Sequence, residues 1–458
     1  MQDLTTGSLS RHLLKTTSFM LVTMIFQTLY FLVDLYWVGR LGKEAVAGVA
    51  VSGNLTFLVL AVTQMLGVGT TTLVSHATGQ KDHPRALLVF NQAQALSILV
   101  GGVFFVIAMT LRHTYASSLS ADVATALRAD EYMRWFIPAM SLQFGMVALA
   151  AALRGTGNFK PGMIVQTSTI IINIVLAPFL IFGWGTGRPL GVAGAAIATL
   201  VSVIVGVVWL TTYFLPAGSY LKFVLSHWRP NLALWRRLLG IGLPAGAEFA
   251  LMGVYLVIVY LISKPFGAAA QAGFGIGMRI MQAGFMPVVA LAFAVAPVAG
   301  QNFGARKADR VRETFTSAVT MAAGVMLVFI IVCHVAPAAM VRFFNADPQV
   351  IEVGAEYLRI VSWNFVPSAV VFIASSMFQA IGNTIPSLMT SMIRLLIVAI
   401  PALVLARLPG FQLPWIWYLS VGAVVIQMTL NVLLLQRELR RRLDVTEASV
   451  AKASAAAT

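Results

Sequence analysis

Long apolar stretches separated by short polar connections run the whole length of the chain. They lie near residues 12–38, 45–72, 86–110, 130–153, 161–183, 191–214, 238–262, 270–298, 311–335, 354–378, 386–406 and 413–436. A helix needs about 20 residues to cross a bilayer, and each run approaches or exceeds that length. The runs are continuous and lack the period-two alternation of barrel strands, so the pattern predicts helices. Helices also satisfy their own backbone polar groups, as the water-free bilayer core demands. The predicted class is an all-α integral membrane protein with twelve transmembrane spans.

The order of residues along the chain repeats. A shift of 225 residues places Leu13 and Leu14 on Leu238 and Leu239, Gly42 on Gly267 and Gly48 on Gly273 without a gap. It also places Glu131, Tyr132 and Arg134 on Glu356, Tyr357 and Arg359, and Gly157, Asn158 and Pro161 on Gly382, Asn383 and Pro386. One offset serves six consecutive spans, so the chain reads as two tandem copies of a six-helix unit. Six is even, so both copies enter the membrane in the same direction. That predicts two pseudo-twofold-related lobes in a parallel repeat, whose rocking gives alternating access. The expected division is a first lobe over 1–214, a cytoplasmic linker over 215–237, a second lobe over 238–436 and a polar tail over 437–458.

Composition agrees with the spans. The 458 residues are 59% hydrophobic and 10% charged, against roughly 25% charged in soluble domains. The net charge of +15 would suggest nucleic acid in a soluble protein. Here the basic residues fall in loops, where they set orientation, and no nucleic-acid partner is expected. With the N-terminus inside, 19 of the 31 Lys and Arg fall in inner segments and ten in outer ones. That predicts a multi-pass protein of the cell's inner (plasma) membrane with both termini cytoplasmic. The first apolar run continues as a full span and lacks a cleavage site, so no cleavable signal peptide is expected. The single cysteine, Cys333, excludes an intrachain disulfide framework and a multi-cysteine metal site. No nucleotide-binding loop, H-E-x-x-H or G-x-S-x-G pattern occurs, so neither ATP drive nor enzyme chemistry is expected, and no cofactor or metal is required.

Charge inside a span is expensive and marks function by default. Two acids are read as intramembrane, Asp34 in span one and Glu248 in span seven. Their repeat partners are Val259 and Thr23, so neither is a symmetric scaffold feature. Tyr30 lies one turn before Asp34 on the same helix face. The first lobe's basic residues within these bounds, Lys15 and Arg134, lie about one turn from a span end, so no Arg or Lys sits mid-span to neutralise Asp34. Loss of hydration disfavours a carboxylate's charged form, which suits proton coupling. The alternative is a hydrated acid near the outer helix end. Glu248 shares its lobe with Arg279 and Arg394, which predicts a second-lobe charge network, structural or substrate-binding. Asn173 in span five and Thr199 in span six could add neutral oxygens beside Asp34 for a hard cation, or serve as helix-packing glue.

Several segments together resemble the multidrug and toxic compound extrusion (MATE) family over essentially the whole chain. They are Asp34-Leu-Tyr-Trp-Val-Gly39-Arg-Leu-Gly42, Gly79-Gln-Lys, Arg154-Gly-Thr-Gly157-Asn158, Gly191-Val-Ala-Gly194-Ala-Ala and Gly304-Ala-Arg-Lys. The resemblance implies twelve helices in two lobes that export small organic cations or amphiphiles in exchange for protons or sodium; separately, a monomer is expected. The resemblance also implies that Asp34 is the coupling carboxylate, with Asn173 and Thr199 beside it. Beyond the resemblance, Tyr30 is expected to contact substrate, and Glu248 to attract a cationic substrate or to hold the second lobe together. Three positions depart from the family pattern. Ala177 stands where many members carry a second acid, and Phe19 where several carry a proline. Glu248 lies about a turn before the span-seven acid of some branches, whose span-ten acid is missing. The thinner first-lobe site favours protons over sodium. A rival from the same superfamily is a flippase for a lipid-linked saccharide, for which only Arg279 and Arg394 offer positive charge.

Overall fold

A computed structural model of the chain describes residues 1–455 except Ala121, Thr186 and Ala217, with side chains for all but Tyr260, Lys264 and 444–455. Lys264, Lys452 and the end of the polar tail therefore lie outside the described side chains. The described residues are almost entirely helical and contain no strand. Among the described residues twelve helices are long and apolar enough to cross a membrane. Spans one to six are Leu9–Gly39, Lys43–Gly79, His83–Leu119, Val123–Gly155, Lys160–Phe182 and Gly191–Thr212. Spans seven to twelve are Leu232–Ser263, Gly267–Gly304, Ala308–Val335, Pro348–Ala380, Ile385–Leu405 and Pro414–Leu443. Several run past the apolar stretches, and two of them begin on a capping aspartate. Asp82 and Asp122 accept the backbone N–H groups of Arg85 and Thr125 at the starts of spans three and four. That bond holds the Asp122 carboxyl below its ordinary range. Span ten is interrupted by a 3₁₀ turn, Ser362–Asn364.

The 225-residue repeat is written in the backbone as well as in the side chains. Left-handed residues recur at that offset: Lys81 and Arg306 both at φ 58°, Gly157 at 78° and Gly382 at 74°. Lys81 and Arg306 pay the Cβ penalty of this region at equivalent turns, so the turn geometry itself is repeated. Close approach repeats too. A Cβ on Gly48 would lie 2.8 Å from the Ala129 nitrogen, and one on Gly273 would lie 3.0 Å from the Gly354 nitrogen.

The chain forms two compact units, Met1–Asp3 with Ser18–Gly246, and Leu4–Thr17 with Ala247–Thr458. In the first, span four packs against spans two, three and six, and span five against six. Its apolar core includes Phe90, Phe144, Ile181 and Phe214, together with Leu238, Ile241 and Ala245 from the start of span seven. In the second, span eight packs against nine and ten, and span twelve against ten and eleven. Its core takes in Phe274, Phe365 and Trp417, together with Leu4, Leu9 and Leu13 from the chain's start. The packing therefore changes unit within spans one and seven.

The linker is built into the first unit. Asn91 in span three donates to the Lys222 carbonyl (3.0 Å) and accepts from the Val224 N–H (2.9 Å) and the Trp228 indole (3.0 Å). Gln92 donates to the Arg229 carbonyl (2.7 Å) and accepts from the Asn231 N–H (2.9 Å). Phe90 stacks on Phe214 (4.7 Å) and meets Phe223 (5.2 Å) beside them. Asn91→Leu strands three linker groups, and each buried unsatisfied group costs about 1–3 kcal/mol. We expect a lower melting temperature and faster tryptic cleavage after Lys222, since Arg229 is followed by Pro230 and resists trypsin. Cleavage at the wild-type rate would show that the linker is held by other contacts.

Candidate functional site

Span one carries the first candidate group. Asp34 is half-buried, and among the described residues it has no hydrogen-bond or ion-pair partner. One turn earlier Tyr30 points its hydroxyl at Thr199 Oγ1, 3.4 Å away on span six. Asn173 Nδ2, on span five, donates to the same oxygen at 3.1 Å. Thr199 spends its own proton on the Ala195 carbonyl at 3.2 Å. With that proton committed, the tyrosine must donate. A hydroxyl oxygen has two lone pairs, so Thr199 is then saturated. The structure thus gathers Tyr30, Asn173 and Thr199 into one cluster and leaves the Asp34 carboxylate unbonded. Tyr132 on span four lies within electrostatic reach of both Asp34 and Tyr30, and it is buried. Sequence reasoning missed it as a site residue, although it belongs to the repeated Glu131–Tyr132–Arg134 motif. Ala177, one turn after Asn173, is buried and brings only a methyl group.

Glu248 has the opposite environment. Ser387 donates to both carboxylate oxygens at 3.0 Å. Ser375 donates to Oε2 at 3.0 Å and Ser391 to Oε1 at 3.1 Å. Among the described residues no ion pair joins Glu248 to Arg279 or Arg394, which corrects the expected charge network. Arg279 is exposed on span eight. Arg394 reaches the acid only by relay, because Gln427 donates to Ser391 (3.0 Å) and offers Oε1 to Arg394 (3.5 Å). Hydroxyls win this position because helical spacing puts Ser387 and Ser391 on one face of span eleven. The run of polar side chains Ser387, Thr390 and Ser391 in a mostly apolar helix was the available signal, and an acid in span seven needed it for a partner.

The comparisons follow the same division into two halves. The profile of the MatE family matches residues 20–179 and 244–405. "Multidrug export protein MepA" of Staphylococcus haemolyticus is 26% identical over 434 residues, 94% of each chain. An "FAD transporter" of Shewanella oneidensis is 26% identical over 379 residues, 81% of this chain and 82% of that protein. A solved outward-facing multidrug resistance MATE family transporter of the MOP superfamily superposes with a TM-score of 0.88 at 23% identity. The match covers 96% of this chain and 98% of that one, so the fold is shared.

The two acids should respond differently to neutralisation. Glu248→Ala strands three serine hydroxyls and should destabilise the protein by about 2–4 kcal/mol. Asp34→Asn removes no bond and should leave stability within about 0.5 kcal/mol of wild type. Thermal melts followed by size-exclusion chromatography check this. Equal losses would mean that Asp34 also carries structural load.

Proposed function

This chain belongs to the MatE family of membrane transporters, and on that premise we propose that it is a proton-coupled antiporter. It exports cationic or amphiphilic organic compounds by alternating access, with Asp34 as the coupling carboxylate. The observation that carries this reading is the contrast between the two intramembrane acids. A coupling group must exchange its ion in each cycle, so it cannot be held by permanent partners. Asp34 has none, whereas Glu248 is occupied by three hydroxyls. Glu248 accordingly holds the second lobe's helices together.

In the proposed cycle Asp34 takes a proton from outside as substrate leaves. It returns protonated, and releases the proton inside before the next substrate binds. Tyr30 meets substrate, and its bond to Thr199 fixes the ring. Orientation with both termini cytoplasmic is supported by the excess of Lys and Arg in inner segments. The substrate class is supported by the printed function of the staphylococcal relative.

Sodium is the second reading, because Asn173 and Thr199 supply oxygens near Asp34. The saturation of Thr199 weighs against it: ligating an ion would break one of its hydrogen bonds. A saccharide-lipid flippase is not favoured, since Arg279 and Arg394 are not gathered into a basic patch and the staphylococcal relative is named as a multidrug export protein. The test is efflux of a fluorescent cationic dye from proteoliposomes under an imposed proton or sodium gradient. Wild type should respond to the proton gradient, and Asp34→Asn should fall at least about tenfold, the loss of an essential proton carrier. Proton-driven efflux that survives in Asp34→Asn would remove Asp34 as coupler. Efflux driven by sodium alone would replace the ion.

A further inference from the structure

We propose that the second lobe carries an anion subsite at Arg394, which receives the carboxylate or phosphate group of a transported amphiphile. The transport role rests on the proposed exporter function, but the binding role stands on the residues themselves.

Arg394 lies in the middle of its helix. It is nine residues from Ile385 and eleven from Leu405 in span eleven. At 1.5 Å per residue that is about 14 Å from the nearer end, farther than an arginine side chain can snorkel. The charge is therefore kept inside the span, where it is expensive without a partner.

No partner of opposite charge is supplied. Among the described residues Arg394 makes no ion pair. Its Nη1 has one long bond, 3.5 Å to Gln427 Oε1. Its Cζ sits 5.2 Å from the Tyr255 ring centroid. Its Nε is buried with no hydrogen-bond partner. The intramembrane acid of this lobe, Glu248, is taken by Ser375, Ser387 and Ser391. A guanidinium presents five N–H donors in a planar fork that matches carboxylate and phosphate oxygens two at a time. One distant amide oxygen leaves most of that fork unused.

Arginines with a structural role look different in the same unit. Arg442 bonds Glu438 at 2.6 Å and the Ile381 carbonyl at 2.8 Å. Arg310 bonds Asn302 Oδ1 and the Gly7 carbonyl, both at 3.0 Å. Each has two short acceptors, and Arg394 has none.

The surroundings hold the guanidinium in place without neutralising it. Gln427 is oriented by its donation to Ser391, which turns its oxygen towards Arg394. Tyr255 is anchored by Ser420, 3.1 Å from its hydroxyl. One ring face and one amide edge are fixed, and Arg394 as a whole is only half-buried, so the residue is not sealed in by its neighbours. A preorganised, uncompensated guanidinium on such a residue is a receptor for an organic anion.

The test uses rhodamine B and its ethyl ester, which differ only in whether the carboxyl group is free. Binding to the purified protein is read by fluorescence anisotropy, and transport by efflux from proteoliposomes. Arg394→Gln should raise Kd and KM for rhodamine B about tenfold, the scale of one lost charge-assisted contact, and move the ester less than about twofold. Arg394→Lys, which keeps the charge and loses the fork, should fall between. Equal shifts for both dyes, or none for rhodamine B, would overturn the subsite. If wild type moves neither dye, the exporter reading fails while the anisotropy comparison still judges the subsite. Phosphatidylcholine vesicles with and without phosphatidylglycerol separate the two sources of the anion. An acidic lipid that weakens rhodamine B efflux in wild type but not in Arg394→Gln would identify its headgroup as an occupant of the same subsite.

Discussion

Inside a bilayer no water is available to complete a hydrogen bond, and this constraint organises the molecule. It requires helices, since a helix closes its own backbone. It then requires that side-chain polar groups within the spans find partners among their neighbours. The Thr199 oxygen is filled by Ala195, Asn173 and Tyr30. The Glu248 carboxylate is filled by three serines. Against that background the groups left open stand out. Asp34 and Arg394 each keep charge-bearing atoms without a matching counter-charge, and each is half-buried. A transporter needs such vacancies, because a group that trades ions or ligands must be incompletely satisfied at some stage of its cycle.

The internal repeat supplies the frame but not the chemistry. Left-handed turns at Lys81 and Arg306, and close packing at Gly48 and Gly273, occur at the same offset because both halves solve the same backbone problem. The two acids break that offset. Each half thus keeps the scaffold while its polar interior diverged, the first around a lone carboxylate and the second around a hydroxyl-lined one.

How much of the site was legible depended on the range of the interaction. Tyr30 and Asp34 are one turn apart, so helical periodicity alone put them on one face. Asn173 and Thr199 were read as polar residues within spans and reinforced by the family resemblance, and the structure joined Thr199 to both Asn173 and Tyr30. Longer-range partners were harder. Glu248 was matched with Arg279 and Arg394 because charge is the loudest signal in a sequence, yet three uncharged serines hold it. Tyr132 was visible only as part of a repeated motif, since nothing local reveals that span four carries it near Asp34.

The sequence by itself determined the class of protein, the twelve spans and the tandem repeat, because hydrophobic run length and residue offset are properties of the linear chain. It also singled out Asp34, since an acid in an apolar run is visible without coordinates. The tertiary structure decided which polar groups meet. It showed the linker bound to span three through Asn91 and Gln92, and the changes of unit within spans one and seven. Those outcomes depend on which helix faces pack together, and no linear pattern states which faces meet. The difference between an occupied acid and an open one is of that kind, and it is the difference on which the functional reading turns.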